Sequence, residues 1–141
     1  MDNIAFLGIG LLGGAFVEAA LKRGDKVTVW NRTIEKAKAL EQFGARVATS
    51  PAEAVRNATR VHLVLTDDAI VDAVIGQLQT ALPSRAIIVD HSTTQPKLTA
   101  ARAARLTKEG VRYIHCPVFI GPAAARQGKG TILASGPRKP E

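Results

Sequence analysis

Near the start of the chain, Gly8-Ile9-Gly10-Leu11-Leu12-Gly13 has the residue types and spacing to hold a diphosphate. In a G-x-G-x-x-G run the first glycine permits a tight turn. The second removes the Cβ that would keep backbone away from a pyrophosphate, and the third lets a helix pack close to the preceding strand. The helix N-terminus then offers N–H groups without intrahelical partners, in a dipole that favours negative charge. A second group, Asn31-Arg32-Thr33, stands where an NAD-specific domain carries the carboxylate that reads the ribose hydroxyls. A carboxylate would repel a 2′-phosphate, whereas Arg32 is suited to donate a charge-assisted fork to it, with Asn31 and Thr33 as neutral donors. The two groups together predict a dinucleotide site that prefers NADP(H). Glycines also shape turns and caps for purely structural reasons, so the reading rests on the elements around them.

Those elements alternate. The short apolar run 4–7 reads as a buried strand, 11–22 as a helix stopped by Gly24, and the β-branched stretch 26–30 as a second strand. A helix over 34–43 follows, with Thr33 as its N-cap and Gly44 as its stop, then a short strand over 46–48. Ser50-Pro51-Ala52-Glu53 combines a cap, a proline at the first helical position and a glutamate three residues after the serine, opening a helix that ends near Asn57. Strands at 61–65 and 86–89 flank a helix over 70–78, for which Asp68 is the preferred cap over Asp67. Pro96 opens a helix reaching about Lys108, and a sixth strand covers 111–114. The run 131–134 reads as an antiparallel or edge strand. Strand–helix alternation predicts an α/β fold of the doubly wound Rossmann type with a mainly parallel sheet, over 1–136 with a tail at 137–141.

Bulk composition agrees. The chain of 141 residues is 46% hydrophobic and 4% aromatic, enough for one ordinary core of aliphatic helices on a sheet. Nineteen Lys and Arg against twelve Asp and Glu give +7, which suits an anionic partner. The basic residues are dispersed, without interleaved aromatics to stack bases, so nucleic acid is not the expected partner. Cys116 is the lone cysteine, which excludes an intrachain disulfide and suits a reducing compartment, the cytoplasm by default. No apolar run approaches the ~20 residues of a membrane span.

On four stretches the sequence resembles the β-hydroxyacid dehydrogenases, the family of 3-hydroxyisobutyrate and 6-phosphogluconate dehydrogenases, with imine reductases as close relatives. These are residues 8–13, Trp30-Asn31-Arg32-Thr33, Asp90-His91-Ser92-Thr93-Thr94-Gln95-Pro96, which is similar to a D-x-S-T-x-x-P segment, and Cys116-Pro117-Val118-Phe119-Ile120-Gly121, which is similar to a substrate-binding A-P-V-S-G-G. The resemblance implies that Leu65, Thr66 and Asp67 line the cofactor cleft, that Thr93 lies near the nicotinamide, and that Val118, Phe119, Ile120 and Gly121 face a small-molecule substrate. Phe119 and Ile120 stand where the family has its substrate-contacting serine and first glycine, which makes that wall bulkier and less polar. The expected role is therefore the NADP(H)-binding domain of an oxidoreductase acting on a 3-hydroxyacid or semialdehyde. The alternatives are the cofactor domain of an imine reductase, and a non-catalytic NADP(H)-binding module.

Family members continue into an all-helical domain that supplies a catalytic lysine. The chain ends at Glu141 before such a domain, so no catalytic residue is assigned and cofactor binding without turnover is expected. Homo-oligomers, if formed, would use another surface. Gly128-Lys129-Gly130-Thr131 lacks the spacing of a phosphate-binding P-loop, and His62, His91 and His115 lack that of a metal site. His62 reads as a satisfied structural residue, Cys116 as a small buried hydrophobe, and His115 as a pocket wall or, less favoured, an acid–base group.

Overall fold

The computed structural model describes residues 3–9, 11–116, 118–119 and 131–132. Strands β1 (Asn3–Leu7), β2 (Lys26–Trp30), β3 (Arg46–Val47), β4 (Arg60–Leu63), β5 (Ile87–Asp90) and β6 (Arg112–His115) form one sheet in the order β3-β2-β1-β4-β5-β6. Every pairing in it is parallel. Parallel neighbours need crossovers, supplied by α1 (Leu11–Lys22), α2 (Ile34–Lys38), α3 (Pro51–Val55), α4 (Asp68–Leu78) and α5 (Pro96–Lys108). Two further strands, β7 (Val118–Phe119) and β8 (Thr131–Ile132), pair antiparallel with each other. The run 131–134 is thus a strand over its first two residues, with 133 and 134 outside the described residues.

Side-chain alternation along β1 divides the core in two. Ile4 and Phe6 point to one face, where they meet Val17 and Ala20 of α1 and Ala37 of α2. Ala5 and Leu7 point to the other and meet Val55 of α3, Val71, Ile75 and Leu78 of α4 and Leu106 of α5. The register is level at one edge: Trp30 pairs with Leu7, Leu7 with Leu63, Leu63 with Asp90, and Asp90 with His115. The loops that leave β1, β2, β4 and β5 therefore all emerge along the same end of the sheet. β1 and β4 adjoin at its centre, where the strand order reverses.

Three expectations shift, each for a local reason. The helix expected over 34–43 stops at Lys38, and Glu41–Phe43 forms a separate 3-10 turn with no buried residue, so nothing holds those residues in α geometry. Thr33 is the N-cap of α2 by position, but its side chain makes no cap bond. The strand expected over 61–65 ends at Leu63, because the Leu65 N–H is taken by the Ser92 hydroxyl at 2.8 Å. The Ser50 cap stands as expected, its Oγ accepting from the Glu53 N–H. No helix among the described residues is long and apolar enough to cross a membrane.

Candidate functional site

The crevice beyond the carboxyl ends of the strands, at the point where strand order reverses, is where ligands bind in open α/β sheets. Of the residues singled out above, Gly8 and Ile9 follow β1, and Leu11, Leu12 and Gly13 open α1. Asn31, Arg32 and Thr33 follow β2, Leu65, Thr66 and Asp67 follow β4, and Thr93 follows β5. The fold brings all of these to one end of the sheet. Gly10, Ile120 and Gly121 lie outside the described residues, and Val118 and Phe119 form β7.

The glycine loop is tightly constrained. Gly8 has φ +99°, and a Cβ there would lie 2.1 Å from the Val64 carbonyl oxygen. At Gly13 a Cβ would lie 2.6 Å from the Gly8 carbonyl oxygen, so the third glycine permits the close approach of α1 to β1. Asn31 ties this loop to the end of β2: its Oδ1 accepts from the Ile9 N–H at 2.7 Å, and its Nδ2 donates to the Thr33 carbonyl at 2.8 Å. Arg32 and Thr33 are exposed beside it. The first turn of α1 carries no acidic residue, so no carboxylate of its own opposes negative charge at that helix end. A helix N-terminus without acidic residues and an exposed guanidinium at the end of β2 fit the phosphates of a dinucleotide.

On the β4–β5 side, Asp67 caps α4, its Oδ1 accepting from the Ile70 N–H at 2.9 Å. This corrects the preference for Asp68 as cap. Asp68 instead accepts from the Gln95 N–H through Oδ2 at 3.0 Å and pairs with Arg102 through Oδ1 at 2.6 Å. These two partners, the Gln95 amide first, hold its carboxyl below the usual range. Arg102, 1% exposed, also donates to Asp72 at 2.6 Å and approaches the Tyr113 hydroxyl, which donates to Asp90 at 2.6 Å. Burial works against the Arg102 charge, but the bonds to Asp72, Asp68 and Tyr113 outweigh it and raise its pKa. Burial and then the neighbouring Asp90 push the Tyr113 hydroxyl up, so it stays protonated and donates. This network escaped the sequence reading. Its one signal was an arginine on the buried 99-102-106 stripe of α5.

The histidines form a hydrogen-bonded chain. Arg60 Nε donates to His62 Nε2 at 3.1 Å, which places the His62 proton on Nδ1. His62 Nδ1 then donates to His91 Nε2 at 2.8 Å, and His91 Nδ1 donates to the Cys116 carbonyl at 2.9 Å. The two imidazoles lie edge to edge in nearly one plane, with Phe6 stacked on His62 and Phe16 tilted against His91, the two phenyl rings 6.2 Å apart. His62 is a satisfied structural residue, as expected. His115 is buried, with Nε2 donating to the Ser92 carbonyl at 2.8 Å. Burial, then the adjacent Asp90, pushes the Cys116 thiol up, which suits its place as a buried small side chain.

Burial, then His91, Arg60 and Arg23, lowers the His62 pKa well below its ordinary value. Burial also lowers that of His91, against the Cys116 carbonyl and Asp90 and with help from His115. Both rings are neutral in the fold but protonate near pH 6.5 once unfolded, so the unfolded state binds more protons below that pH. Stability is therefore complete above about pH 6.5 and falls as the medium is acidified towards the folded pKa values. The slope is up to about 1.4 kcal/mol per pH unit for each histidine. Urea unfolding midpoints between pH 7.5 and 4.5 check this, in a window above the titration of Asp68 and Asp72. A flat profile there would contradict the neutral pair.

Residues 3–140 match the family described as the NAD binding domain of 6-phosphogluconate dehydrogenase. The chain is 37% identical to the cytokine-like nuclear factor N-PAC of Xenopus tropicalis over 138 residues, 95% of this chain and 26% of that protein. It is 33% identical to glyoxylate/succinic semialdehyde reductase 1 of Arabidopsis thaliana, again over 95% of this chain and 47% of the reductase. Among solved structures, an imine reductase of Streptomyces aurantiacus superposes with TM-score 0.89 at 30% identity, over 97% of this chain and 48% of that one. The chain thus spans a quarter to a half of the length of these relatives.

Proposed function

Because this chain belongs to the family of the NAD binding domain of 6-phosphogluconate dehydrogenase, we propose that it binds NADP(H) and forms the cofactor-binding part of an oxidoreductase acting on a small 3-hydroxyacid or semialdehyde. The observation that carries the cofactor choice is the end of β2, where exposed Arg32 stands with Asn31 and Thr33 and no carboxylate. In this reading the loop of Gly8, Ile9 and Gly10 and the α1 N-terminus at Leu11, Leu12 and Gly13 receive the pyrophosphate. Arg32 and Thr33 hold the 2′-phosphate, and Asn31 keeps the two regions in register. Leu65, Thr66, Asp67 and Thr93 border the nicotinamide half, where the bound cofactor supplies or accepts the hydride. Val118, Phe119, Ile120 and Gly121 would face the substrate. A reducing compartment such as the cytoplasm suits the buried, protonated Cys116.

NADPH is expected to bind roughly ten- to a hundredfold more tightly than NADH, the worth of one good charged contact. Arg32→Asp should reverse that order, replacing attraction to the 2′-phosphate with repulsion and creating a ribose acceptor. Calorimetric titration of both cofactors against both proteins is the test. Equal affinities in the parent, or an unchanged ratio in the variant, would remove Arg32 from the site. An imine substrate is the second reading, favoured by the apolar Phe119-Ile120 pair and the 30% identity to the Streptomyces aurantiacus imine reductase.

A further inference from the structure

We propose that Ser92 and Asp68 are positioning residues that staple the loop after β4 to the loop after β5, giving a nicotinamide half-site that is preformed independently of the adenosine half. The proposal rests on the dinucleotide reading above and adds the residues that shape one half of the site.

The backbone stretches 65–68 and 92–95 run side by side, fastened at both ends. At one end the Leu65 N–H donates to Ser92 Oγ at 2.8 Å. At the other the Gln95 N–H donates to Asp68 Oδ2 at 3.0 Å. Neither staple is free to swing. Ser92 is 2% exposed, its own N–H donates to Asp90 Oδ1 at 2.9 Å, and its carbonyl accepts from His115 at 2.8 Å. Asp90 is fully buried and held from its other oxygen by Tyr113, while Asp68 is held by the buried Arg102 guanidinium. Between the staples, Thr66, Asp67 and Thr93 are exposed. A frame with fixed ends therefore presents its exposed members towards the carboxyl end of the sheet.

A dinucleotide lying across the reversal point puts one mononucleotide on each side of it. The end of β2 reads the adenosine ribose, so the β4–β5 side takes the other half. Holding that side in its bound shape lowers the ordering cost of binding. Loosening a staple should thus weaken ligands that reach the β4–β5 loops and spare those that stop at the pyrophosphate. Among the described residues, the hydrogen bonds of the two staples share no residue with the Asn31–Ile9 tie that organises the adenosine side.

The test compares three ligands, NADPH, 2′,5′-ADP and reduced nicotinamide mononucleotide, on the parent chain and on Ser92→Ala, Asp68→Asn and Ser92→Thr, the last of which keeps the acceptor. Binding is followed by calorimetry, with folding checked by circular dichroism. Ser92→Ala should lose about five- to tenfold in NADPH affinity, the worth of one buried hydrogen bond, and lose affinity for the mononucleotide as well. It should hold 2′,5′-ADP within twofold, and Ser92→Thr should recover part of the loss. Asp68→Asn, which keeps a side-chain oxygen but loses the charge that grips Arg102, should show the same split and carries the comparison if Ser92→Ala does not fold. Equal losses on NADPH and 2′,5′-ADP would make the staples general structural bonds and overturn the proposal, as would no loss at all. A parent chain that binds neither NADPH nor 2′,5′-ADP would instead overturn the dinucleotide reading beneath it.

Discussion

Gly8→Ala is expected to cost roughly 2–5 kcal/mol of folding stability. About 1–2 kcal/mol comes from forcing a side chain into left-handed backbone at φ +99°, and about 1–3 kcal/mol from the shift needed to relieve the clash. The nearest partner is backbone, which cannot swing aside as a side-chain end can. The nearest atom to the added Cβ is the Val64 carbonyl oxygen at 2.1 Å, with Leu65 Cδ2 at 2.9 Å, so β1 and β4 must part where the crevice opens. Against a whole-domain stability of about 5–15 kcal/mol, such a loss is visible in a urea titration. Gly76→Ala is the internal control: it lies inside α4 with nothing within 4 Å of an added Cβ, and should gain about 0.5–1 kcal/mol. If both variants unfold within about 0.5 kcal/mol of the parent, the tight turn at Gly8 is not as drawn.

Arg102→Ala should lose about 3 kcal/mol, at the low end for breaking a buried ion pair, because Asp72 is 44% exposed and water can recover its charge. The loss has several parts. The stem packing disappears, Asp68 and Asp72 face each other without the cation between them, and the Tyr113–Asp90 bond loses its flank. Arg102→Lys should rescue little, since one ammonium cannot place separate donors on Asp68 and Asp72 as Nη2 and Nε do. Thermal and denaturant unfolding of both variants give the answer. A loss below about 1 kcal/mol in the alanine variant would show that the network is incidental.

What the amino-acid order announces and what it conceals divide along range. Element types and most boundaries were legible because they depend on neighbours: the period of apolar residues, Pro51 and Pro96 at helix starts, the Ser50 cap. The glycine loop was legible because the strand and helix around it were. Contacts between distant residues left little trace. Asp67 and Asp68 are adjacent carboxylates before a helix, and local rules make either an acceptable cap. Arg102, 34 residues onward, recruits Asp68 and so leaves the cap to Asp67. Leu65 reads as strand by its composition until Ser92, 27 residues away, takes its N–H. Asn31 was expected to serve as a donor to phosphate, whereas its acceptor holds Ile9 across 22 residues.

The position of β1 also bears on how the chain behaves while it is being made. β1 is completed on one side by β2 and on the other by β4, and the residue that pairs with Leu7 on the β4 side is Leu63. At a synthesis rate of about 5–20 residues per second, the interval between residues 7 and 63 is about 3–11 s. Throughout it the β4-side edge of β1 has no partner, and Phe6 waits for the His62 ring it will stack on. The vulnerable period of this domain is thus set by the return of the chain across its centre. Slower elongation before residue 63 lengthens the exposure, whereas slower elongation after it finds the central strand already closed on both sides.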